Sequence, residues 1–277
     1  MTNKNLIHPT AIIDSSAKIA SDVIIGPYCI VGKQVQIDSG TTLKSHIVID
    51  GHTIIGKDNI IYPFTTIGLA PQDLKFKGEN SQVIIGNNNI IRENVTIHLG
   101  TKEDKMLTKI GDNCLLMVGS HIAHDCEVGN NVILANNATL AGHVVLEDHV
   151  IIGGLSAVKQ FTRIGKNAMI GGMSGIEKDV IPYGLVRGER AHLVGLNLVG
   201  LKRKNIDRKQ ISILQDFFAQ LFDKSQKSFT LFERLQNMNN NFNNTLAEDI
   251  IKFITSKESK NSLCQPKNFD QNARNLP

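Results

Sequence analysis

Tryptophan is absent from the sequence, and aromatic residues of all kinds make up only 5% of it. A core in such a chain has to be filled by aliphatic side chains of little shape variety, which favours regular stacking over an irregular jigsaw. Cysteine is scarce as well. Cys29, Cys114, Cys126 and Cys264 show no C-x-x-C spacing and none of the density of a disulfide scaffold, so free thiols in a reducing, cytoplasmic setting are expected. No apolar run approaches the roughly 20 residues that span a bilayer, and the opening MTNKNLIHPT lacks the apolar stretch of a signal peptide. No membrane span is expected. Positive charge exceeds negative by only +4, far from the dense Lys/Arg coverage that makes nucleic acid the default partner. Phosphate-binding P-loops, dinucleotide-binding glycine fingerprints, G-x-S-x-G elbows and H-E-x-x-H helices are all missing, so nucleotide hydrolysis, Rossmann redox chemistry, elbow-serine hydrolysis and zinc proteolysis lose their usual signals.

What the chain does have is a period of six. Aliphatic residues recur without a break at Ile7, Ile13, Ile19, Ile25, Val31, Ile37, Leu43, Ile49, Ile55, Ile61 and Ile67. The series resumes at Ile85, Ile91 and Ile97, and again from Ile110 through Leu116, Ile122, Val128, Leu134 and onward to Ile176. Four places after many of these stands a small or β-branched residue, such as Ala17, Val23, Cys29 or Ala138. Six fits neither the 3.6 of a helix nor a long two-residue alternation, so each hexad is read as a short strand followed by a bend. Three bends close a triangle, the aliphatics point inward, and successive coils pair backbone to backbone. The fold class is therefore mainly β, a parallel β-helix of hexapeptide repeats.

Two lapses interrupt the rhythm, at residues 69–83 and 98–109, and both read as loops thrown out from a coil. Beyond Pro182 the spacing turns helical: Ile211, Leu214, Phe217, Phe218, Leu221 and Phe222 follow Asp207, a natural N-cap. Phe229, Phe232 and Leu235, then Leu246, Ile250 and Phe253, suggest two further short helices. The expected organisation is a β-helix over 1–191, a small C-terminal α-helical domain over 192–256 that caps the open end of the prism, and a loose tail over 257–277.

A prism is only a scaffold, so function has to come from side chains that project from it. His121 and His124 lie in HIAHDC with Asp125 adjacent, and His143 follows about one 18-residue coil later, close to the same corner. His98 lies further back along the chain. Several imidazoles near one corner suit an acid/base site, a metal site or a solvated surface, and the residues alone leave all three open. Past the repeat, Lys202, Arg203, Lys204, Arg208 and Lys209 form a basic cluster able to hold a phosphate or an acidic protein, or simply to solvate a helix start.

The segments IGPYCIVG, PQDLK, IRENVTIHLGT, HIAHDCEVGNNVILANNATLAGHV, IIGGLSAVKQF and NLVGLKRK, in this order, resemble the UDP-N-acetylglucosamine acyltransferase family of lipid A biosynthesis. The run from His121 to Val144 is the most specific, because it matches at polar positions that a generic hexad leaves free. The resemblance implies a left-handed coil, an exception to the right-handed crossover rule that the period does not reveal. It implies transfer of an (R)-3-hydroxyacyl group from acyl carrier protein to the 3-hydroxyl of UDP-N-acetylglucosamine, with no cofactor and no metal. It implies His124 as general base, Asp125 as its orienting partner and the Gly142 N–H as oxyanion donor. Asp73, Lys75, His98, His121, His143, Lys159 and Gln160 would line the substrate site, with Asn197, Arg203 and Lys204 meeting the nucleotide. Gly172 and Arg190 would set acyl length, Gly172 leaving the channel open for a longer chain. A homotrimer with active sites between subunits is implied, the acidic carrier docking on a basic surface.

Lys159 stands where the family commonly has His, Arg190 replaces a His of the ruler, and Val199 sits where an acid is common. Alternatives are the same fold acylating a 3-amino UDP-sugar, or a zinc-dependent prism carbonic anhydrase, whose paired His are spaced differently from His121 and His124. The related glucosamine N-acyltransferase places a uridine-binding domain before its prism, whereas hexads here begin at Ile7.

Overall fold

The computed structural model describes residues 6–223, 225, 230–238, 244–256 and 260–267. Most hexads are a two-residue strand whose second side chain is buried, as in Ile24–Ile25, Ile60–Ile61 and Ile151–Ile152, followed by a turn. The strands stack into three sheets of 9, 8 and 10 strands, parallel throughout except at the last strand of the third. Register is set by the aliphatic column: Leu116 pairs with Leu134, and Leu134 with Ile152. The three sheets are the walls of a triangular prism that coils left-handedly, and the inward Ile, Leu and Val side chains fill it with almost no exposure.

The corners explain the Asn and Asp of the repeat. Asn88, Asn113, Asn131 and Asn167 turn the chain with φ between 57° and 59°, a left-handed conformation that Asn tolerates better than other side chains. Inside one turn a polar ladder replaces the aliphatics. Asn59 Nδ2 donates to the Gly86 carbonyl at 2.9 Å, its Oδ1 accepts the Asn89 N–H at 2.9 Å, and Asn89 Oδ1 accepts the Cys114 N–H at 2.7 Å. These fully buried amides satisfy backbone groups that a bend would otherwise orphan.

The prism closes differently from the expectation. Residues 192–196, read as the start of the helical domain, form a strand that pairs antiparallel with Gly184–Arg187 and finishes a sheet. Helix α1 (Leu198–Arg203) begins just after it, followed by α2 (Arg208–Leu221), α3 (Leu231–Asn237) and α4 (Thr245–Thr255). Asp207 caps α2 through the Lys209 N–H. Leu235, Leu246, Ile250 and Phe253 are buried, but Phe232 is exposed and Phe229 lies outside the described residues. The helices are anchored to the prism by charge. Arg163 pairs with buried Asp179 at 3.0 Å, donates to the Phe253 carbonyl at 3.1 Å and lies over its ring. Lys166 and Tyr183 both reach Asp249. No described helix is long and apolar enough to cross a membrane.

Within the tail, residues 260–267 depart from the expectation of looseness, while 257–259 and 268–277 lie outside the described residues. Leu263 bridges Asp179 in parallel, Asp179 N–H donates to Ser262 O at 2.9 Å, and Leu193 N–H donates to Gln265 O at 3.0 Å. Backbone pairing to the last coil needs no hydrophobic pattern, which is why residues 260–267 gave no sign of it.

Candidate active site

Asp125, His143 and Phe161 occupy the same turn position of three successive coils, with φ of 58°, 63° and 63°. His124 precedes Asp125, and the His143 N–H donates to the His124 carbonyl at 3.0 Å, so sequence neighbours and coil neighbours converge on one corner. The Nδ1 of His124 lies 2.9 Å from Asp125 Oδ2. Asp125 is held in turn by the Thr101 N–H and by Thr101 Oγ1 at 2.6 Å, while its own N–H donates to Thr108 Oγ1 at 2.9 Å. Burial alone would raise the Asp125 carboxyl. The hydrogen bonds from His124 and Thr101 outweigh that burial and keep it below the ordinary carboxylate range. An ionised carboxylate on Nδ1 keeps the imidazole proton there and leaves Nε2 as the basic nitrogen.

Gly142 sits directly against that ring. A Cβ at position 142 would stand 2.4 Å from His124 Cε1 and 2.6 Å from Nε2, so only glycine fits. Among the described residues its N–H forms no hydrogen bond. A basic nitrogen beside an unpaired backbone donor is an arrangement that can take a proton on one side and stabilise a developing oxyanion on the other.

Around this pair the other imidazoles are ordered by contacts. His143 meets His124 edge-on at 4.9 Å, stacks on Phe161 at 4.3 Å and directs Nδ1 to Asp104 Oδ2 at 2.9 Å. His98 and His121 stand on the adjoining wall, 5.0 Å apart, with His121 Nδ1 2.7 Å from Thr96 Oγ1. Burial, then the neighbouring His121 and His124, lowers His98 to about 4; burial and His124 lower His121 as well. Both are therefore neutral donors or acceptors near pH 7. Both loops reach the site. The first supplies Asp73, whose Oδ1 accepts the Lys75 N–H, and Lys75 lies 3.9 Å from Glu103 of the second. Asp73, Lys75, His124, His143 and Gln160 line one cleft.

The remaining expected residues stand elsewhere in this chain. Lys159 is exposed at the end of a strand of the His121 wall, its N–H bonded to Ile176 O. Asn197 caps α1 and donates to Asn167 O at 3.0 Å, and Lys204 lies within electrostatic reach of Asp148 and Lys166, so Asn197 and Lys204 stand near the corner of Asn131, His149 and Asn167, with Arg203 at the end of α1 just before Lys204. Gly172 belongs to the third corner, where a Cβ would meet Gly154 O at 3.2 Å. Arg190 lines a separate cavity with Glu177 and His192. Single-sequence reasoning missed Thr101, Asp104, Thr108 and Phe161. Phe161 was legible in principle, since an aromatic at the turn position one coil after His143 breaks the Asn/Gly habit.

A parallel prism with an imidazole–carboxylate pair and, among the described residues, an unpaired backbone donor at one corner is the architecture of a hexapeptide-repeat transferase. The bacterial transferase hexapeptide model matches residues 107–142, and residues 179–264 match the second domain of UDP-N-acetylglucosamine O-acyltransferase. A protein of Bartonella henselae named acyl-[acyl-carrier-protein]–UDP-N-acetylglucosamine O-acyltransferase is 44% identical over 262 residues, 94% of each chain. The solved LpxA of Acinetobacter baumannii superposes with a TM-score of 0.89 at 45% identity, covering 94% of this chain and 100% of that one. The UDP-N-acetylglucosamine acyltransferase of Francisella novicida gives 0.88 at 36% identity, over 98% and 99%. The chain belongs to the UDP-N-acetylglucosamine O-acyltransferase family.

Proposed function

We propose that this chain transfers an (R)-3-hydroxyacyl group from acyl carrier protein to the 3-hydroxyl of UDP-N-acetylglucosamine, the first step of lipid A biosynthesis. The observation that carries the reading is the buried His124–Asp125 pair with Gly142 packed on its imidazole. Nε2 of His124 removes the proton of the sugar hydroxyl as the oxygen attacks the thioester carbonyl. The carbon–oxygen bond forms, and the Gly142 N–H receives the negative charge on the former carbonyl oxygen. Collapse breaks the carbon–sulfur bond, and the imidazolium returns its proton to the departing thiolate. Asp125 holds the ring and offsets its transient charge. The name shared by relatives matched along the chain favours an oxygen acceptor over both the 3-amino sugar and the zinc-dependent alternative.

Asp73, Lys75, His98, His121, His143, Lys159 and Gln160 are assigned to substrate binding, with Asn197, Arg203 and Lys204 to the nucleotide and Gly172 and Arg190 to the acyl ruler. These groups stand at three corners of one prism, too far around it to serve a single cleft within one copy. A homotrimer with active sites between subunits removes the difficulty, because residues at another corner of one copy then complete the cleft of the next.

The test is a product assay by mass spectrometry, with purified protein, a series of 3-hydroxyacyl carrier proteins and UDP-N-acetylglucosamine. An ester product is expected, lost by about 10²–10⁴-fold in His124→Ala with trimer and melting curve intact. Absence of product from folded wild-type protein with every donor overturns the reading.

A further inference from the structure

The chain enters the catalytic cleft a third time, from a segment that the repeat does not include. Lys260 lines the same cleft as Lys75, His124 and His143. Its ammonium lies 4.5 Å above the Phe161 ring, whose plane is within 12° of the His143 ring beneath it. Ammonium, phenyl and imidazole thus form one stack that ends edge-on at His124.

This placement is built. Asn261 Nδ2 donates to Gln160 O at 3.3 Å, and the Leu263 bridge with the Asp179 bonds to Ser262 and Cys264 pins the next residues to the last coil. Lys260 is the residue at which this strap meets the cleft. The neighbouring cations are otherwise engaged: Lys75 faces Glu103, Lys102 faces Glu79 and Lys105 faces Glu127. Among the described residues no carboxylate lies within ion-pair distance of Lys260. A cation held over an aromatic face at a cleft mouth, with no counter-ion among the described residues, is arranged to receive an anion from outside.

We propose that Lys260 is a substrate-binding residue that takes a phosphate oxygen of the incoming substrate, and that residues 260–267 serve as a strap delivering it. This rests on the acyl-transfer reading, under which two phosphates can approach the cleft: the diphosphate of the sugar nucleotide and the phosphodiester of the carrier's pantetheine arm. The chemistry is the same for both, and kinetics separate them.

The experiment compares wild type with Lys260→Met, which keeps the aliphatic stem on Phe161, and Lys260→Arg, which restores charge. Lys33→Met, far from the cleft, is the control. In steady-state assays Lys260→Met raises one KM by about tenfold with kcat within about twofold, and Lys260→Arg recovers most of the loss. A rise confined to UDP-N-acetylglucosamine assigns the diphosphate; a rise confined to the acyl carrier assigns the phosphodiester. The difference between wild type and Lys260→Met shrinks with added salt, because the contact is partly solvated. Titration of UDP-N-acetylglucosamine and of free 4′-phosphopantetheine into each protein, read by calorimetry, tests the contact without turnover. Wild-type protein that binds but forms no product counts against the acyl-transfer reading and leaves the Lys260 comparison readable. Equal affinities and equal KM values in wild type and Lys260→Met, with both folded, overturn the proposal.

Discussion

Two corners of the prism are built from the same backbone and do different things. At one, the turn positions hold Asp125, His143 and Phe161; at the next, a hexad further on, they hold Asn131, His149 and Asn167. Their φ angles agree within a few degrees, from 58° to 63° against 58° to 61°. The second corner mostly uses Asn, which enters this region cheaply. The first places an acid, an imidazole and a phenyl ring there, residues for which left-handed φ is less comfortable. Position 142 sharpens the contrast, because its counterpart one hexad on is Asp148. The backbone therefore does not demand glycine at that point of the turn; the His124 ring does. The scaffold is indifferent, and chemistry is written in which side chains break its habit.

The largest effect should come from exchanging the two corners' habits. Asp125→Asn leaves shape and φ preference intact but removes the charge that holds the His124 proton on Nδ1. Turnover should fall by about 10²–10⁴-fold, while Asn131→Asp stays within about twofold. Equal loss in the two variants, measured as kcat with matched melting temperatures, would mean that the corners differ in stability and not in catalysis.

Gly142→Ala comes next. Its Cβ would collide with an imidazole that Asp125 pins, so the ring must rotate off its partner or the turn must open. A fall in kcat of about 10²–10³-fold is expected, with the KM of the sugar nucleotide changed far less, since the proposed role sets the glycine against the base and the oxyanion and not against the nucleotide. A loss seen only in KM would remove the Gly142 N–H from the oxyanion role.

Most of the prism was legible because six-residue spacing of Ile, Leu and Val has one simple physical solution, and Ile25, Leu134 and Ile152 stand where that solution puts them. The buried Asn59–Asn89 ladder was not, since a polar residue inside a period reads as a turn until its carbonyl partners are known. Helix α2 announced itself through Asp207 and its apolar face, whereas residues 192–196 and 260–267 join the prism by main-chain pairing that leaves no pattern. At the site, His124, Asp125 and His143 were visible as chemistry-bearing residues at coil spacing. Thr101, Asp104 and Lys260 were not, because each arrives from a loop or tail whose path the repeat does not determine.

The adjoining wall offers the smallest and most specific effect. His98 is buried, its Nδ1 has no hydrogen-bond partner among the described residues, and its pKa is lowered from 6.5 to about 4, chiefly by burial and further by His121 and His124. Between those two values the unfolded chain binds a proton that the folded chain refuses, so stability falls as pH drops from 6.5 towards 4 and levels off below. Asp125 acts on a lower window, because its depressed carboxyl withdraws stability only as pH falls below its ordinary value of 3.8. His98→Gln should therefore flatten the decline in melting temperature across the upper window by about 2–4 °C and leave the lower limb unchanged. His121, lowered by the same neighbours, keeps part of the slope. If His98→Gln leaves the slope untouched, the His98 nitrogen has found a partner in the assembled enzyme. The wall that carries it is then an interface, where protonation is governed by the neighbouring copy and not by burial within one prism.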